Sequence, residues 1–311
     1  MRGLCPALIG SLVGSLCGCD RVLGVDVVPS DAEIDAAPPD TYFGPRIDCS
    51  NLRPLPTGLR KTLVWDTFGG NAFVSAPSAV TIGVEPLVMY TVTTPADQLG
   101  WGRTRPGVPA GAPSTIGNDG LIVLDGAGVQ RATLWYDRIR GLSLAYERAG
   151  VTYISTPVTT GLDGQWKAPA ITVPIPAGAN LRSVGHQGGR VVIEVETPYS
   201  VTELLRDPAT DQLVELPGTM DTVNAAPGVP LHVTMTHDGC RVLFDAKDAT
   251  GLRRLYYAER EPSGAFGAPQ QITTDPAAAS WPALSDDGYA LYFQRHDAGL
   301  NRGELYFLGR P

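Results

Sequence analysis

Residues 281–293 read Trp281-Pro-Ala-Leu-Ser-Asp-Asp-Gly-Tyr-Ala-Leu-Tyr-Phe293, and this stretch decides the fold. An apolar segment is followed by an Asp-Gly turn and then by a second segment of alternating apolar and aromatic side chains, the pattern of a β-hairpin. Similar stretches are HQGGRVVI from His186 and HDGCRVLF from His237. The three are about 50 residues apart, a period typical of repeat folds.

A second landmark keeps the same period. The segment Gly164-Gln-Trp-Lys-Ala-Pro169 recurs as Gly264-Ala-Phe-Gly-Ala-Pro269, about two periods later. Each unit therefore contains an apolar strand, an Asp-Gly turn, a second strand, a Leu-Tyr-rich strand, a Gly-x-aromatic turn and a final strand. Four antiparallel strands in a unit of this length are typical of one propeller blade.

The predicted fold class is all-β, a β-propeller of about five or six four-stranded blades formed by residues 49–311. A blade buries its apolar faces only against its neighbours, so the units must form a ring. The last unit ends after Glu304-Leu-Tyr-Phe-Leu308, one strand short. We therefore predict that an N-terminal strand closes the ring, either Leu63-Val-Trp65 or a neighbouring segment, which leaves no open sheet edge.

The stretch 281–293, followed by Glu304-Leu-Tyr306, resembles the repeat of TolB-like propellers, and the stretch at His237 resembles it less closely. Asp286 and His237 stand where that family has a proline. The resemblance implies a scaffold at the cell envelope that docks another protein. The turns Asp238-Gly239 and Asp287-Gly288 are interpreted as structural, because the carboxylate can cap backbone amides and glycine tolerates positive φ.

The N-terminus has the features of a bacterial export signal. An apolar run follows Met1-Arg2 and ends at Leu16-Cys17-Gly18-Cys19, which resembles the lipobox of lipoproteins. We predict that residues 1–18 are removed, that Cys19 is lipidated, and that the acidic, proline-rich residues 19–48 are a flexible tether. The alternative is an ordinary signal peptide that contains cysteines. The predicted location is the bacterial cell envelope, on its periplasmic side or at the cell surface, anchored to the membrane by lipid only.

Composition agrees with a chain of short strands and many turns. The 311 residues include 36 glycines and 27 prolines, and the formal net charge is −8 without a basic stripe. Nucleic acid is therefore excluded as a predicted partner. Outside the N-terminal segment the chain has two cysteines, Cys49 and Cys240. In an oxidising compartment these could form a disulfide, or both could remain free thiols.

No catalytic motif is found in the sequence. It lacks the Gly-x-Ser-x-Gly, His-Glu-x-x-His, Walker and Cys-x-x-Cys motifs. His232 and His237 are an odd number of positions apart, which would place them on opposite faces of an extended strand. Carboxylates that a glycosidase could use, Asp66, Asp125, Glu194 and Asp245, are interpreted as solvated strand or turn residues. The sequence predicts no catalytic residue, no metal and no cofactor.

The function predicted from these features is that of a non-catalytic binding scaffold. Loops at the propeller mouth would bind an envelope protein or a small ligand. The alternative is a carbohydrate-active enzyme or lectin on a five-bladed propeller. Three acidic side chains meeting in one funnel would favour the enzyme, and a channel without such a cluster would favour the binding protein.

Overall fold

The structure is a computed structural model, and it describes about three fifths of the chain. The described residues are 47–56, 58–60, 73–82, 85–93, 98–105, 115–116, 120–122, 130–137, 140–148, 151–157, 166, 171–172, 174–185, 188–196, 198–207, 210, 212–272, 278–286, 288, 290–297 and 302–309.

The described chain consists almost entirely of β-strands. In chain order the elements are β1 (Gly58–Arg60), β2 (Phe73–Ile82), β3 (Glu85–Thr93), β4 (Gln98–Arg105), β5 (Thr115–Ile116), β6 (Gly120–Ile122), β7 (Gln130–Asp137), β8 (Gly141–Arg148), β9 (Val151–Ser155), β10 (Ile171–Thr172), β11 (Ala179–Gly185), β12 (Arg190–Glu196), β13 (Tyr199–Arg206), β14 (Leu213–Glu215), α1 (Asp221–Asn224), β15 (Leu231–Met235), β16 (Arg241–Lys247), β17 (Arg253–Glu259), β18 (Gln270–Gln271), β19 (Ala279–Leu284), β20 (Ala290–Asp297) and β21 (Arg302–Gly309). The described helix α1 is a single turn, and no helix in these ranges is long and apolar enough to cross a membrane.

The strands form antiparallel sheets that follow the sequence repeat. The strand orders are β2-β3-β4-β5 with β6 also on β4, β7-β8-β9-β10, β11-β12-β13-β14, β15-β16-β17-β18, and β19-β20-β21-β1. The stretch 281–293 contains most of β19 and the first half of β20, and the His237 stretch contains the β15–β16 turn and the start of β16.

The first strands of these sheets contact one another in cyclic order. β2 contacts β7, β7 contacts β11, β11 contacts β15, β15 contacts β19, and β19 contacts β2. Some of these contacts are very close: a Cβ atom on Gly185 would come within 2.7 Å of the Thr236 carbonyl oxygen. The arrangement is a β-propeller-like ring, and the all-β prediction is confirmed.

The core lies between the faces of neighbouring sheets. Val242, Leu243 and Phe244 are consecutive residues of β16, and all three are fully buried. Val242 and Phe244 pack in a cluster with Val192 of β12, whereas Leu243 packs in a cluster with Leu291 of β20. Alternate side chains of one strand therefore bury against the sheets on either side, which explains why three consecutive residues of the strand are apolar.

The N-terminal strand β1 pairs with the C-terminal strand β21. The antiparallel register joins Gly58 to Gly309, Leu59 to Leu308 and Arg60 to Phe307. The segment Leu63-Val-Trp65, named above as a closing strand, lies outside the described residues.

Candidate functional site

Each first strand contains a β-bulge. The register shifts between Ser75 and Ser78 in β2, Gln130 and Thr133 in β7, Leu181 and Ser183 in β11, Leu231 and Thr234 in β15, and Ser280 and Ala283 in β19. A bulge inserts an extra residue and redirects side chains. All five bulges contribute residues to one central cavity.

This central cavity has a volume of about 60 Å³. The lining residues on which the argument depends are Ala79, Thr133, Arg182, His232, His237 and Trp281. The side chain of His237 is 28% exposed and that of His232 is 18% exposed. The cavity is thus a polar recess where the innermost strands of all the sheets meet.

His232 is held in place by a buried carboxylate and an aromatic ring. Its Nδ1 lies 2.6 Å from Oδ1 of Asp245, a fully buried residue of β16. Its ring stacks on Trp281 of β19, with centroids 3.5 Å apart and the planes inclined by 21°. Asp245 also accepts a hydrogen bond of 3.2 Å from the Trp281 backbone N–H, and it forms an ion pair with Arg253. One carboxylate therefore connects β15, β17 and β19.

Arg182 occupies the corresponding bulge of β11 and is held in the same way. Its Nε donates to Oε2 of Glu194, a fully buried residue of β12. The other oxygen, Oε1, accepts a hydrogen bond of 2.8 Å from the Val233 backbone N–H in the β15 bulge. Burial raises the pKa of the nearby Tyr199 phenol, and the Glu194 charge raises it further.

The two carboxylates are enclosed behind the cavity wall. Among the described lining residues there is no Asp or Glu, and both Glu194 and Asp245 are 0% exposed. Neither can reach a ligand without breaking its present bonds. The described side chains on the wall that can carry a proton are His232 and His237, and of these His232 is oriented by a buried carboxylate. Because Asp245 accepts from Nδ1, Nε2 is left as the ring nitrogen for a ligand.

Two residues of the bulges have a left-handed backbone. His232 has φ of 53° and Trp281 has φ of 55°. Such angles are uncommon for residues other than glycine, and they are unfavourable for a bulky side chain. Hydrogen bonds to Asp245, from the His232 ring and from the Trp281 backbone N–H, hold both residues in this conformation. Strained residues of this kind cluster at ligand sites, so their coincidence at the cavity supports a site there.

The two histidines lie on the same cavity, contrary to the strand-alternation argument. That argument assumed regular pairing, but the bulge between Leu231 and Thr234 breaks the alternation, and His237 lies beyond the end of β15. Within the described part of the chain, no three histidine, cysteine or acidic side chains come together in a potential metal-binding group.

The repeat turn at Asp238 organises the β15–β16 hairpin. Its Oδ1 accepts hydrogen bonds from the Cys240 backbone N–H at 2.9 Å and from the Thr236 hydroxyl at 2.6 Å. Gly239 has φ of 75° and Gly288 has φ of 70°. Asp287, Cys19, Asp66 and Asp125 lie outside the described residues.

Cys49 and Cys240 form a disulfide bond in the structure. The bond joins the segment before β1 to the turn that leads into β16. Arg241, the next residue, donates to the Arg53 carbonyl oxygen at 2.5 Å. The segment at 47–56 is therefore attached to the β15–β18 sheet at two adjacent positions.

No protein-family model and no curated protein sequence matches the chain. Solved structures do match. The catalytic domain of an α-L-arabinofuranosidase from Coprinopsis cinerea is 12% identical, with a TM-score of 0.54 over 82% of this chain and 98% of that chain. An endo-arabinase from Bacteroides thetaiotaomicron is 11% identical, with a TM-score of 0.51 over 81% and 97%. TolB from Acinetobacter baumannii is 14% identical, with a TM-score of 0.42 over 72% and 53%.

These matches correct the function predicted from the sequence. At such identities the likeness shows the fold alone, and the TolB score is too low to carry an argument. The arabinofuranosidase and arabinase structures have TM-scores above 0.5 and match over about four fifths of this chain. The prediction of a non-catalytic scaffold, and with it the prediction that the chain is not an enzyme, is wrong on this comparison. The alternative, a carbohydrate-active protein, is the better supported.

Proposed function

We propose that this chain is a carbohydrate-active protein built as a five-bladed β-propeller, with its saccharide site in the central cavity. Five sheets whose first strands contact in cyclic order support the blade number. The pairing of β1 with β21 supports closure by the N-terminal strand. The likeness to propeller-like arabinofuranosidase and arabinase structures supports carbohydrate as the ligand class.

The observation that carries the proposal is the convergence of five bulged strands on one polar recess. Arg182, His232 and Trp281 come from three different sheets, yet their bulges bring them to the same cavity. Buried acids fix the first two, so their orientation is set before a ligand arrives. Sites preorganised in this way are typical of ligand binding and catalysis.

His232 is the residue proposed to act on the saccharide. In the neutral ring Nδ1–H donates to Asp245, so Nε2 can accept a proton from a sugar hydroxyl or from water, and the charged ring can return it. The described lining residues include no pair of exposed carboxylates, which the usual glycosidase mechanism requires. Asp245 therefore acts as the group that orients the imidazole.

The test combines saccharide binding with release of reducing ends. We would titrate the protein with oligosaccharides of arabinose, xylose, galactose and uronic acids and incubate it with the corresponding polymers. Asp245→Asn should lower binding or turnover by about tenfold or more, because it alters the imidazole tautomer. The control is Asp248→Asn, a loop-capping aspartate on the same sheet that does not line the cavity. Absence of binding and turnover for every saccharide would contradict the proposal.

A second proposal concerns location. The lipobox-like segment supports export and attachment through lipid on Cys19, with residues 19–48 as the tether. A protein anchored in this way partitions into detergent, and Cys19→Ser should move it to the aqueous phase. Persistence of Cys19→Ser in the detergent phase of whole-cell extracts would contradict the lipid anchor without affecting the saccharide proposal.

A further inference from the structure

The polar groups of the central cavity divide into those already bonded within the protein and those left for a ligand. Ser183 Oγ accepts from the Met235 backbone N–H at 2.8 Å, and Thr234 Oγ1 donates to the Pro282 carbonyl at 2.7 Å. Both hydroxyls thus have partners inside the wall. Glu194 and Asp245, the acids behind the wall, are likewise occupied.

Arg182 has unused donor capacity on the cavity side. Glu194 takes its Nε, and the structure records no hydrogen bond from its terminal nitrogens to the described residues. Its guanidinium carbon lies 5.8 Å from the Trp281 ring centroid, which keeps the planar group beside the stacked His232–Trp281 pair. A guanidinium fork fixed in this way suits the paired oxygens of a carboxylate.

The two histidines provide further hydrogen-bond donors on the cavity wall. His232 has Nε2 available, and in the charged ring this nitrogen donates. His237 lies in the same recess, with Nδ1 3.9 Å from Asp286 Oδ1, too far for a hydrogen bond. The described wall thus offers Arg182, His232 and His237 to a ligand and no carboxylate. Each of these groups has an acidic partner behind or beside the wall, and the donors still directed into the recess would bind the two oxygens of a carboxylate more strongly than a sugar hydroxyl.

Size supports the same conclusion. A volume of about 60 Å³ is well below the roughly 300–1,000 Å³ of pockets that enclose a drug-sized ligand. The recess can therefore hold one substituent of a sugar rather than the whole ring. The substituent that its donors would recognise is a small anionic group.

We propose that the saccharide taken by this site is acidic, and that its anionic group, a uronate carboxylate, enters the central cavity and is bound by Arg182 with His232 and His237. This inference rests on the proposed function, since it specifies the class of saccharide at the same site. The sugar ring remains at the mouth of the cavity.

The experiment compares two ligands that differ only at the group concerned. Oligogalacturonate and the matching galactose oligomer have the same ring stereochemistry, and a sulfated galactose oligomer tests whether another anion substitutes for the carboxylate. Calorimetric titration at low and at high salt should show at least tenfold tighter binding of the uronate than of the neutral oligomer, weakened by salt. Equal binding of the sulfated oligomer would support recognition of anionic charge rather than of the carboxylate plane.

Matched variants locate the binding. Arg182→Gln removes the charge but keeps an amide that can donate to Glu194, and it should weaken uronate binding by at least tenfold. Arg254→Gln removes an arginine that is also paired with an aspartate, Asp248, but does not line the cavity, and should bind like the wild type. If Arg182→Gln fails to fold, His237→Gln is measured in its place, and its affinity for the uronate should fall at least threefold.

The outcomes separate this inference from the proposed function. If neutral and acidic oligomers bind equally, the acidic-saccharide inference is overturned while the saccharide site stands. Preference for the uronate that survives in both Arg182→Gln and His237→Gln would overturn the assignment to the cavity. If no saccharide binds at all, the proposed function fails, and this inference fails with it.

Discussion

The β11–β14 and β15–β18 sheets share one arrangement of a buried acid and a basic side chain, with a different basic residue in each. In the first, Arg182 from the bulge of the first strand pairs with Glu194 of the second strand, which also accepts from the next bulge at Val233. In the second, His232 pairs with Asp245, which accepts from the next bulge at Trp281. Each carboxylate thus links its own sheet to the next one by hydrogen bonds. The two sheets differ in the basic side chain that faces the cavity.

Comparison of the two sheets distinguishes the residues that stabilise the fold from those that face the ligand. A buried acid is retained in both sheets because it satisfies a bulged backbone N–H that would otherwise lose its partner. The cation differs because it faces the ligand: arginine provides a permanent charge and a fork of donors, while histidine provides a proton that can be exchanged. Mutations of the acids should therefore act first on stability, and mutations of the cations first on binding.

The largest effect is expected for Glu194→Ala. Removing this acid leaves the Arg182 side chain, only 9% exposed, without its counter-charge, and the Val233 N–H without its acceptor. We expect a loss of about 3–5 kcal/mol in the free energy of unfolding, measured by urea denaturation. The control is Glu196→Ala, which removes an exposed acid of the same strand that accepts a hydrogen bond from the Asn180 side chain, and it should cost less than about 1 kcal/mol. Equal losses in the free energy of unfolding for the two variants would contradict the interpretation that Glu194 links neighbouring sheets.

Removal of the disulfide should have the next largest effect. Only the β15–β18 sheet of this pair is attached through Cys240 to the N-terminal segment at Cys49. The double variant Cys49→Ser, Cys240→Ala should lose about 2–4 kcal/mol, because the unfolded chain regains the freedom that the cross-link removed. Urea unfolding with and without reductant measures this. An unfolding midpoint that reductant leaves unchanged in the wild type would contradict the expectation.

The third prediction compares the two acids through conservative amides. Asp245→Asn and Glu194→Gln each remove one buried negative charge without a large change in side-chain volume, so the losses of stability should be similar, about 1–2 kcal/mol. In Asp245→Asn the amide oxygen should face Arg253, which places the amide N–H groups toward His232 Nδ1. Only Asp245→Asn should change the proton position on His232, from Nδ1 to Nε2. Imidazole nitrogen NMR spectra distinguish the two tautomers. An unchanged tautomer in Asp245→Asn would show that Asp245 does not orient the ring.

The smallest effect is expected at Tyr199, on the Glu194 side of the comparison. Burial and the Glu194 charge raise its pKa in the folded state, so the unfolded phenol ionises first as the pH increases. The stability contributed by the neutral phenol is present below about pH 10 and is lost as the pH rises above it. Tyr199→Phe should change stability by about 0.5 kcal/mol or less at pH 7 and retain more of it at pH 11. Parallel wild-type and variant curves across this range would contradict the assignment.

The strands and their repeat could be predicted from the sequence, because alternation and Asp-Gly turns are local signals. The stretch 281–293 contains most of β19 and the start of β20 as expected, and the chain from Arg241 forms β16. The order of the strands in each sheet also follows from four short elements per repeat. These features need no knowledge of long-range contacts.

The cavity could not be predicted from alternation, because the bulges break it. Regular pairing puts His232 and His237 on opposite faces, whereas the shift between Leu231 and Thr234 brings both to the recess. Glycine usually marks such bulges, but here His232 and Trp281 carry the positive φ. A signal was nevertheless present, since Arg182, His232 and Trp281 are about one repeat apart in the aligned units.

The central claim is that a saccharide binds in the central cavity, and a plugged cavity tests it most directly. Ala79 of β2 lines the recess opposite the charged groups, so Ala79→Phe should fill it, whereas Val229→Phe adds the same ring at an exposed position. The measurement is calorimetric titration of the three proteins with the saccharide that the wild type binds. The account expects at least a tenfold loss of affinity in Ala79→Phe alone, with both variants folded. Undiminished binding by a folded Ala79→Phe would contradict it.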